Sequence, residues 1–153
     1  KLFRYTTNSK NSNWSRVEDE IDMVKTYLYI EKIRFGDKLN FTVSVKLDTR
    51  SYFIPRYLLL PLVENAIKHG ISKTIGTGNI KINIEQKYKM LEISVYDNGP
   101  DFPENWMTGY GLQSVCERLK LLFPGKHEVE IMNGKEKQIK ILLKEIITNE
   151  PHV

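Results

Sequence analysis

Leu60-Pro61-Leu62-Val63-Glu64-Asn65-Ala66-Ile67-Lys68-His69-Gly70 combines an apolar helical pattern with an amide, an ammonium and an imidazole. Wound at helical spacing, Leu58, Leu62, Asn65 and His69 fall on one side, with Lys68 at its edge. An amide and an imidazole thus share a stripe with leucines, and a polar group on a half-buried stripe needs a partner. Two readings stand at this point. Asn65 is bonded to backbone or water, or the stripe is a ligand site with an amide oxygen for a hard cation and Lys68 for a phosphate. Pro55 suits the first turn of this helix, Pro61 should kink it or delay its regular start, and Gly70 suits its C-terminal cap.

Working outward, Ser15-Arg16-Val17-Glu18 has the capping-box pattern. Val17, Ile21, Val24 and Leu28 then recur at helical spacing up to Gly36, which predicts a first helix of about five turns. Phe41, Val43, Val45 and Leu47 alternate with polar residues and predict a strand. After a loop over 72–78, Ile80, Ile82 and Ile84 alternate, then Leu91, Ile93 and Val95, with a short link at Lys87–Met90 that predicts a hairpin. Leu112, Val115, Leu119 and Leu122 form a third helical stripe ending near Pro124-Gly125. Val129 and Ile131, then Ile139, Ile141 and Leu143, predict two more strands about an Asn133-Gly134 turn. Five strands and three helices in this order predict an α+β fold, a two-layer α/β sandwich with a mixed five-stranded sheet and the helices on one face.

Composition sets the frame. The chain has 153 residues, 41% hydrophobic and 27% charged, and a mass of 17.9 kDa, an ordinary globular balance. That excludes a disordered tail, a collagen and a coiled-coil rod. No apolar run reaches the length of a membrane span, and residues 1–13 are polar, so no signal peptide is expected. The lone Cys116 permits no internal disulfide, and the chain is expected to be cytoplasmic. The net charge of +4 comes from 10 basic and 7 acidic side chains in residues 1–50 and 13 and 12 beyond. The signs interleave without a basic block, which speaks against direct nucleic-acid binding.

Two further places carry chemistry. Asp97 has the parity of Leu91, Ile93 and Val95, so alternation turns its carboxylate inward. Such a group caps a turn or binds something, and Asn98-Gly99 lets the backbone bend sharply after it. Gly109-Tyr110-Gly111-Leu112 stands just before an amphipathic helix, where open amides and the helix dipole favour an anion. No Walker loop, His-Arg-Asp loop or Asp-Phe-Gly occurs. A cation ligand on a helix, a buried carboxylate at a strand end and a glycine-rich helix start together suit a Mg-nucleotide.

Their order and spacing resemble the Bergerat ATP-binding fold of gyrase, the Hsp90 chaperone, the MutL repair protein and bacterial histidine kinases. Within that superfamily, Tyr27-Leu28-Tyr29-Ile30-Glu31-Lys32-Ile33-Arg34-Phe35-Gly36-Asp37-Lys38-Leu39 resembles the segment joining the phospho-acceptor helices to the ATP domain in LytS-type sensor histidine kinases. Ile54-Pro55 with Leu60–Gly70 resembles that family's asparagine box. Asp97-Asn98-Gly99 is similar to its first glycine box, and Gly109-Tyr110-Gly111-Leu112 to its second. Glu117-Arg118-Leu119 with Phe123-Pro124-Gly125 is similar to its third helix and exit. The resemblance covers about residues 15–145. It divides the chain into 1–14, a linker or the end of a phospho-acceptor domain, 15–147, the ATP-binding catalytic domain, and 148–153, a tail.

The resemblance implies roles. Asn65 would hold Mg²⁺ between the phosphates of ATP, Lys68 would contact phosphate, and His69 the ribose or phosphate edge. Asp97 would accept the adenine amino proton, and Gly99 would let the base approach. Gly109, Gly111 and Leu112 would give amides to the phosphates. Glu64, on another helix face, is either catalytic or a solvated structural carboxylate. Two departures stand out. Asp101 replaces the second glycine of the first glycine box, next to a short lid, Pro100–Thr108, expected to be held by few contacts. Pro61 stands where gyrase-type ATPases carry a water-activating carboxylate, and it cannot act as a base, which tilts the reading from hydrolase to phosphotransferase.

The resemblance further implies transfer of the ATP γ-phosphoryl to a histidine on an upstream helical domain, and from there to a response regulator, with a LytTR-type regulator suggested. None of His69, His127 and His152 has the family's His-Phe-x-Phe-Asn acceptor context. The acceptor and any membrane anchor are therefore expected N-terminal to this chain, with the domain on the cytoplasmic side. The alternatives are an ATP hydrolase or ATP-gated switch of the gyrase and chaperone kind, and a degenerate nucleotide-binding interaction module.

Overall fold

The computed structural model describes residues 12–109 and 112–152. Trp14–Arg16 (β1) leads into a long helix, Val17–Phe35 (α1). Leu39–Val45 (β2) and Phe53–Pro55 (β3) follow, then the helix Leu59–Asn65 (α2), extended by a π-helical turn over Ala66–Gly70. Gly78–Lys87 (β4) and Met90–Asp97 (β5) form a hairpin. A short helix, Trp106–Gly109 (α3), precedes Gln113–Leu122 (α4), His127–Met132 (β6) and Gln138–Leu143 (β7).

The main sheet has the order β2-β4-β5-β7-β6. The β2–β4 pair is parallel and every other pair antiparallel, so the sheet is mixed as the alternation predicts. Ile80, Ile82 and Ile84, with Leu91, Ile93 and Val95 and with Ile139, Ile141 and Leu143, point to one face and pack with Val17, Val24, Leu28, Leu62 and Leu119 of the helices in one core. The other face carries Lys81, Asn83, Glu92 and Lys140, and Glu92 bridges to Lys87 and Lys140 at 3.3 and 3.7 Å. Period-two alternation, with one face apolar and one charged, fixes the register.

Several local expectations give way to tertiary contacts. Ser15 is not a helix cap: it lies in β1, paired with Ile54, and α1 starts after Arg16 without a side-chain cap. The amides of Val17 and Glu18 instead donate to the carbonyls of Tyr52 and Arg50, at 2.9 and 3.0 Å. Leu47 leaves the strand for a short 3₁₀ turn and is exposed. Pro55 ends β3 rather than opening the helix.

The start of α2 is delayed to Leu59. Pro61 is then the third helical residue, within the first turn, where no amide has an intrahelical partner to lose. The buried carboxylate of Glu20 takes the amides of Tyr57 and Leu59, at 3.1 and 3.4 Å, and Tyr57 turns the chain at φ 61°. Gly70 has φ −100°, so it is not a left-handed cap; its small size serves packing instead. The Asn133-Gly134 turn is in fact a longer connection, with a 3₁₀ turn over Gly134–Glu136. No helix among the described residues is long and apolar enough to cross a membrane.

Candidate functional site

The end of α2 docks against the end of β5, and glycines make the approach possible. A Cβ at Gly70 would stand 2.4 Å from Asp97 Oδ1 and 2.7 Å from its Cγ. A Cβ at Gly99 would stand 2.3 Å from Gly70 Cα. Backbone therefore touches backbone where the helix bearing Asn65, Lys68 and His69 meets the strand bearing Asp97. Gly99 has this packing duty whatever else it does.

Asn65 is 4% exposed, and its Oδ1 is buried without a hydrogen-bond partner among the described residues. A buried amide oxygen left unpaired costs about 1–3 kcal/mol, so its bare lone pairs suit a hard cation that takes oxygen ligands. The π-helical turn begins one residue later, the kind of local rewinding that concentrates at functional sites. Lys68 is exposed and His69 half-buried. Burial, with the positive charges of Lys73, Lys68 and Lys137, lowers the His69 pKa from its ordinary value of 6.5. The imidazole is thus neutral at pH 7, a hydrogen-bonding group rather than a fixed charge. Glu64 is half-buried and turns toward α1: the Tyr27 phenol is pushed up to about 12, first by burial, then by the negative charges of Glu31 and Glu64.

Asp97 is 2% exposed, as its parity predicts. Its Oδ1 accepts the Gly99 amide at 2.9 Å and the Lys137 ammonium at 2.7 Å. Lys137, equally buried, also stands 4.5 Å from the centre of the Phe102 ring. Sequence reasoning missed Lys137. It precedes β7 and shares the parity of Ile139, Ile141 and Leu143, so extending that alternation back by one step finds it.

The lid is held more firmly at its root than expected. Phe102 is buried, and Asn133 brackets its backbone: Asn133 Oδ1 accepts the Phe102 amide at 2.8 Å and Nδ2 donates to its carbonyl at 3.2 Å. Asp101, the departure from the glycine box, accepts the Gly134 amide at 3.0 Å. The residue at the missing glycine thus ties the lid to the β6–β7 connection. Beyond it, Gly109 closes α3, Leu112 is buried at the start of α4, and Gly111 lies outside the described residues.

A buried carboxylate packed against the end of a helix that carries a buried amide oxygen, a lysine and a histidine has the chemistry to suit an anionic ligand with a cation. The family model of histidine kinase-, DNA gyrase B-, and HSP90-like ATPases matches residues 54–147, and that of histidine kinases residues 1–39. The chain belongs to this ATP-binding family, in its histidine kinase branch. The sensor histidine kinase YpdA of Escherichia coli (strain K12) is 36% identical over 148 residues, 89% of this chain and 26% of the relative. The sensor protein LytS of Staphylococcus epidermidis is 28% identical over 115 residues, 75% of this chain and 20% of the relative. The Acinetobacter baumannii histidine kinase AdeS shares the fold, with a TM-score of 0.68 at 17% identity over 97% of this chain and 74% of that one. The chain spans about a quarter of the length of the curated relatives it matches.

Proposed function

We propose that the chain is the catalytic, ATP-binding part of a sensor histidine kinase, which transfers the ATP γ-phosphoryl to a histidine on an upstream helical domain for relay to a response regulator. The observation that carries this reading is the bare, buried Oδ1 of Asn65, on a helix packed against the buried Asp97. Asn65 holds Mg²⁺, which neutralises phosphate charge. Lys68 adds a point charge for the phosphates, and neutral His69 offers a hydrogen bond to phosphate or ribose. Asp97 accepts the adenine amino proton, with Gly99 keeping the base close. Gly109, Gly111 and Leu112 give amides at the start of α4.

Phosphoryl transfer is mostly positioning and charge stabilisation, so the chain needs a nucleophile brought in line from outside. His69 belongs to the pocket wall, and Pro61 supplies no base for water, which weighs against a hydrolase. Glu64, turned toward Tyr27, acts by orienting groups between α1 and α2. Residues 15–147 form the catalytic domain: Ile147 still accepts the Phe53 amide at 2.8 Å, and residues beyond it form a tail. Residues 1–14 lead from the acceptor domain, with Trp14 at their end already paired with Pro55 in β1. The regulator is of LytTR type, and the domain works on the cytoplasmic side of a membrane-anchored sensor.

Incubation with γ-labelled ATP tests this. The chain alone should remain unlabelled, and a longer chain that includes the upstream helices should acquire acid-labile phosphate. Labelling of His69 in the chain alone, or fast ATP turnover without transfer, would refute the division of labour.

A further inference from the structure

The Lys137–Asp97 pair has a property that simple charge balance does not require. The ammonium carries three protons, yet among the described residues it has one hydrogen-bond acceptor, Asp97 Oδ1 at 2.7 Å. The Phe102 ring, 4.5 Å away, covers another side of the charge. Lys137 is 2% exposed, and no described residue accepts its remaining protons. On the carboxylate, Oδ1 already holds both the Lys137 ammonium and the Gly99 amide. Oδ2 has no partner among the described residues. The pair therefore offers a ligand one bare acceptor, Oδ2, beside one under-used donor, Nζ. The ammonium also lies within electrostatic reach of His69, which places it on the side of the asparagine-bearing helix.

We propose that Lys137 is a specificity residue of the base pocket, donating to the ring nitrogen that neighbours the exocyclic amino group of adenine while Asp97 Oδ2 accepts from that amino group. This rests on the ATP-binding reading. Adenine presents on that edge a donor next to an acceptor, complementary to the pair. Guanine and hypoxanthine in the same pose present a carbonyl acceptor to Asp97 and an N–H donor to Lys137. Both contacts then turn repulsive, and a buried polar group facing its own kind is left unsatisfied. Asp97 alone would read one position; with Lys137 the pocket reads two.

The test is a calorimetric cycle with ATP, GTP and 1-deaza-ATP, which replaces the ring nitrogen by C–H and keeps the amino group. A hydrogen bond to a charged group corresponds to roughly 10- to 150-fold in affinity. The unmodified chain should bind 1-deaza-ATP weaker than ATP by a factor in that range, and GTP weaker still. Lys137→Met should lower ATP affinity toward that of 1-deaza-ATP, so that the ratio of the two falls to about one. Lys137→Gln, which keeps a neutral donor, should give a ratio between these. If Lys137→Met does not fold, the comparison of ATP with 1-deaza-ATP on the unmodified chain decides. Equal affinity for those two nucleotides overturns the proposal while leaving ATP binding intact. Absence of any ATP binding overturns the underlying reading and the proposal with it.

Discussion

Replacing Gly99 by alanine puts a methyl group where the structure has backbone. The new Cβ would lie 2.3, 2.5 and 2.6 Å from Gly70 Cα, O and C, more than 1 Å short on its closest contact of the 3.4 Å at which ordinary van der Waals contact begins. No flexible side chain can move aside, so the end of α2 must separate from the end of β5. Overpacking costs typically about 1–3 kcal/mol and occasionally more, and a clash of backbone on backbone belongs at the upper end. For a chain of this size about 3 kcal/mol lowers Tm by roughly 6–12 °C. The same separation pulls Gly70 from the Asp97 carboxylate, so ATP affinity should fall as well. Gly125→Ala is the control: it has φ +71° and nothing within 4 Å of an added Cβ, so it pays only the left-handed backbone cost of about 1–2 kcal/mol. Thermal unfolding by circular dichroism, paired with nucleotide titration, reads both effects. If Gly99→Ala is no less stable than Gly125→Ala and binds ATP normally, the packing argument for this glycine fails.

Three further outcomes follow from the same geometry. Asp97→Asn strands the Lys137 ammonium and should cost about 3–5 kcal/mol in denaturant unfolding, with Asp97→Asn/Lys137→Met recovering part of it; a simple sum of the two single effects would refute the coupling. The lowered His69 pKa means that the unfolded chain binds this proton more readily, so stability should fall as pH drops below 6.5. His69→Gln should flatten that slope in pH-dependent melting. The raised Tyr27 pKa has the opposite consequence: its contribution is present below pH 10.0 and lost as pH rises toward about 12. Tyr27→Phe should remove that loss in alkaline unfolding curves.

The sheet is legible because its signal is local. Ile80, Ile82 and Ile84, or Ile139, Ile141 and Leu143, alternate within a few residues, and one buried face leaves no other register. Asp97 follows by the same parity. What escapes is decided by partners distant in sequence. Ser15 has the chemistry of a cap, but the carbonyls of Arg50 and Tyr52 reach the helix amides first. Pro55 fits a helix start, yet pairing with Trp14 keeps it extended. Lys137 sits in the charged run Lys135-Glu136-Lys137 just after Asn133-Gly134, and its partner Asp97 is 40 residues away. Its burial was implied by two facts taken together: an inward carboxylate needs a counter-charge, and position 137 faces inward.

The most direct test of the account is a titration of the chain with ADP in Mg²⁺ and again in a chelator. If Asn65 Oδ1 is bare because a cation completes it, binding should be strong with Mg²⁺ and weak without it, and Asn65→Ala should erase that difference while keeping the fold. No heat at millimolar nucleotide, or a Mg²⁺ dependence unchanged in Asn65→Ala, would contradict it.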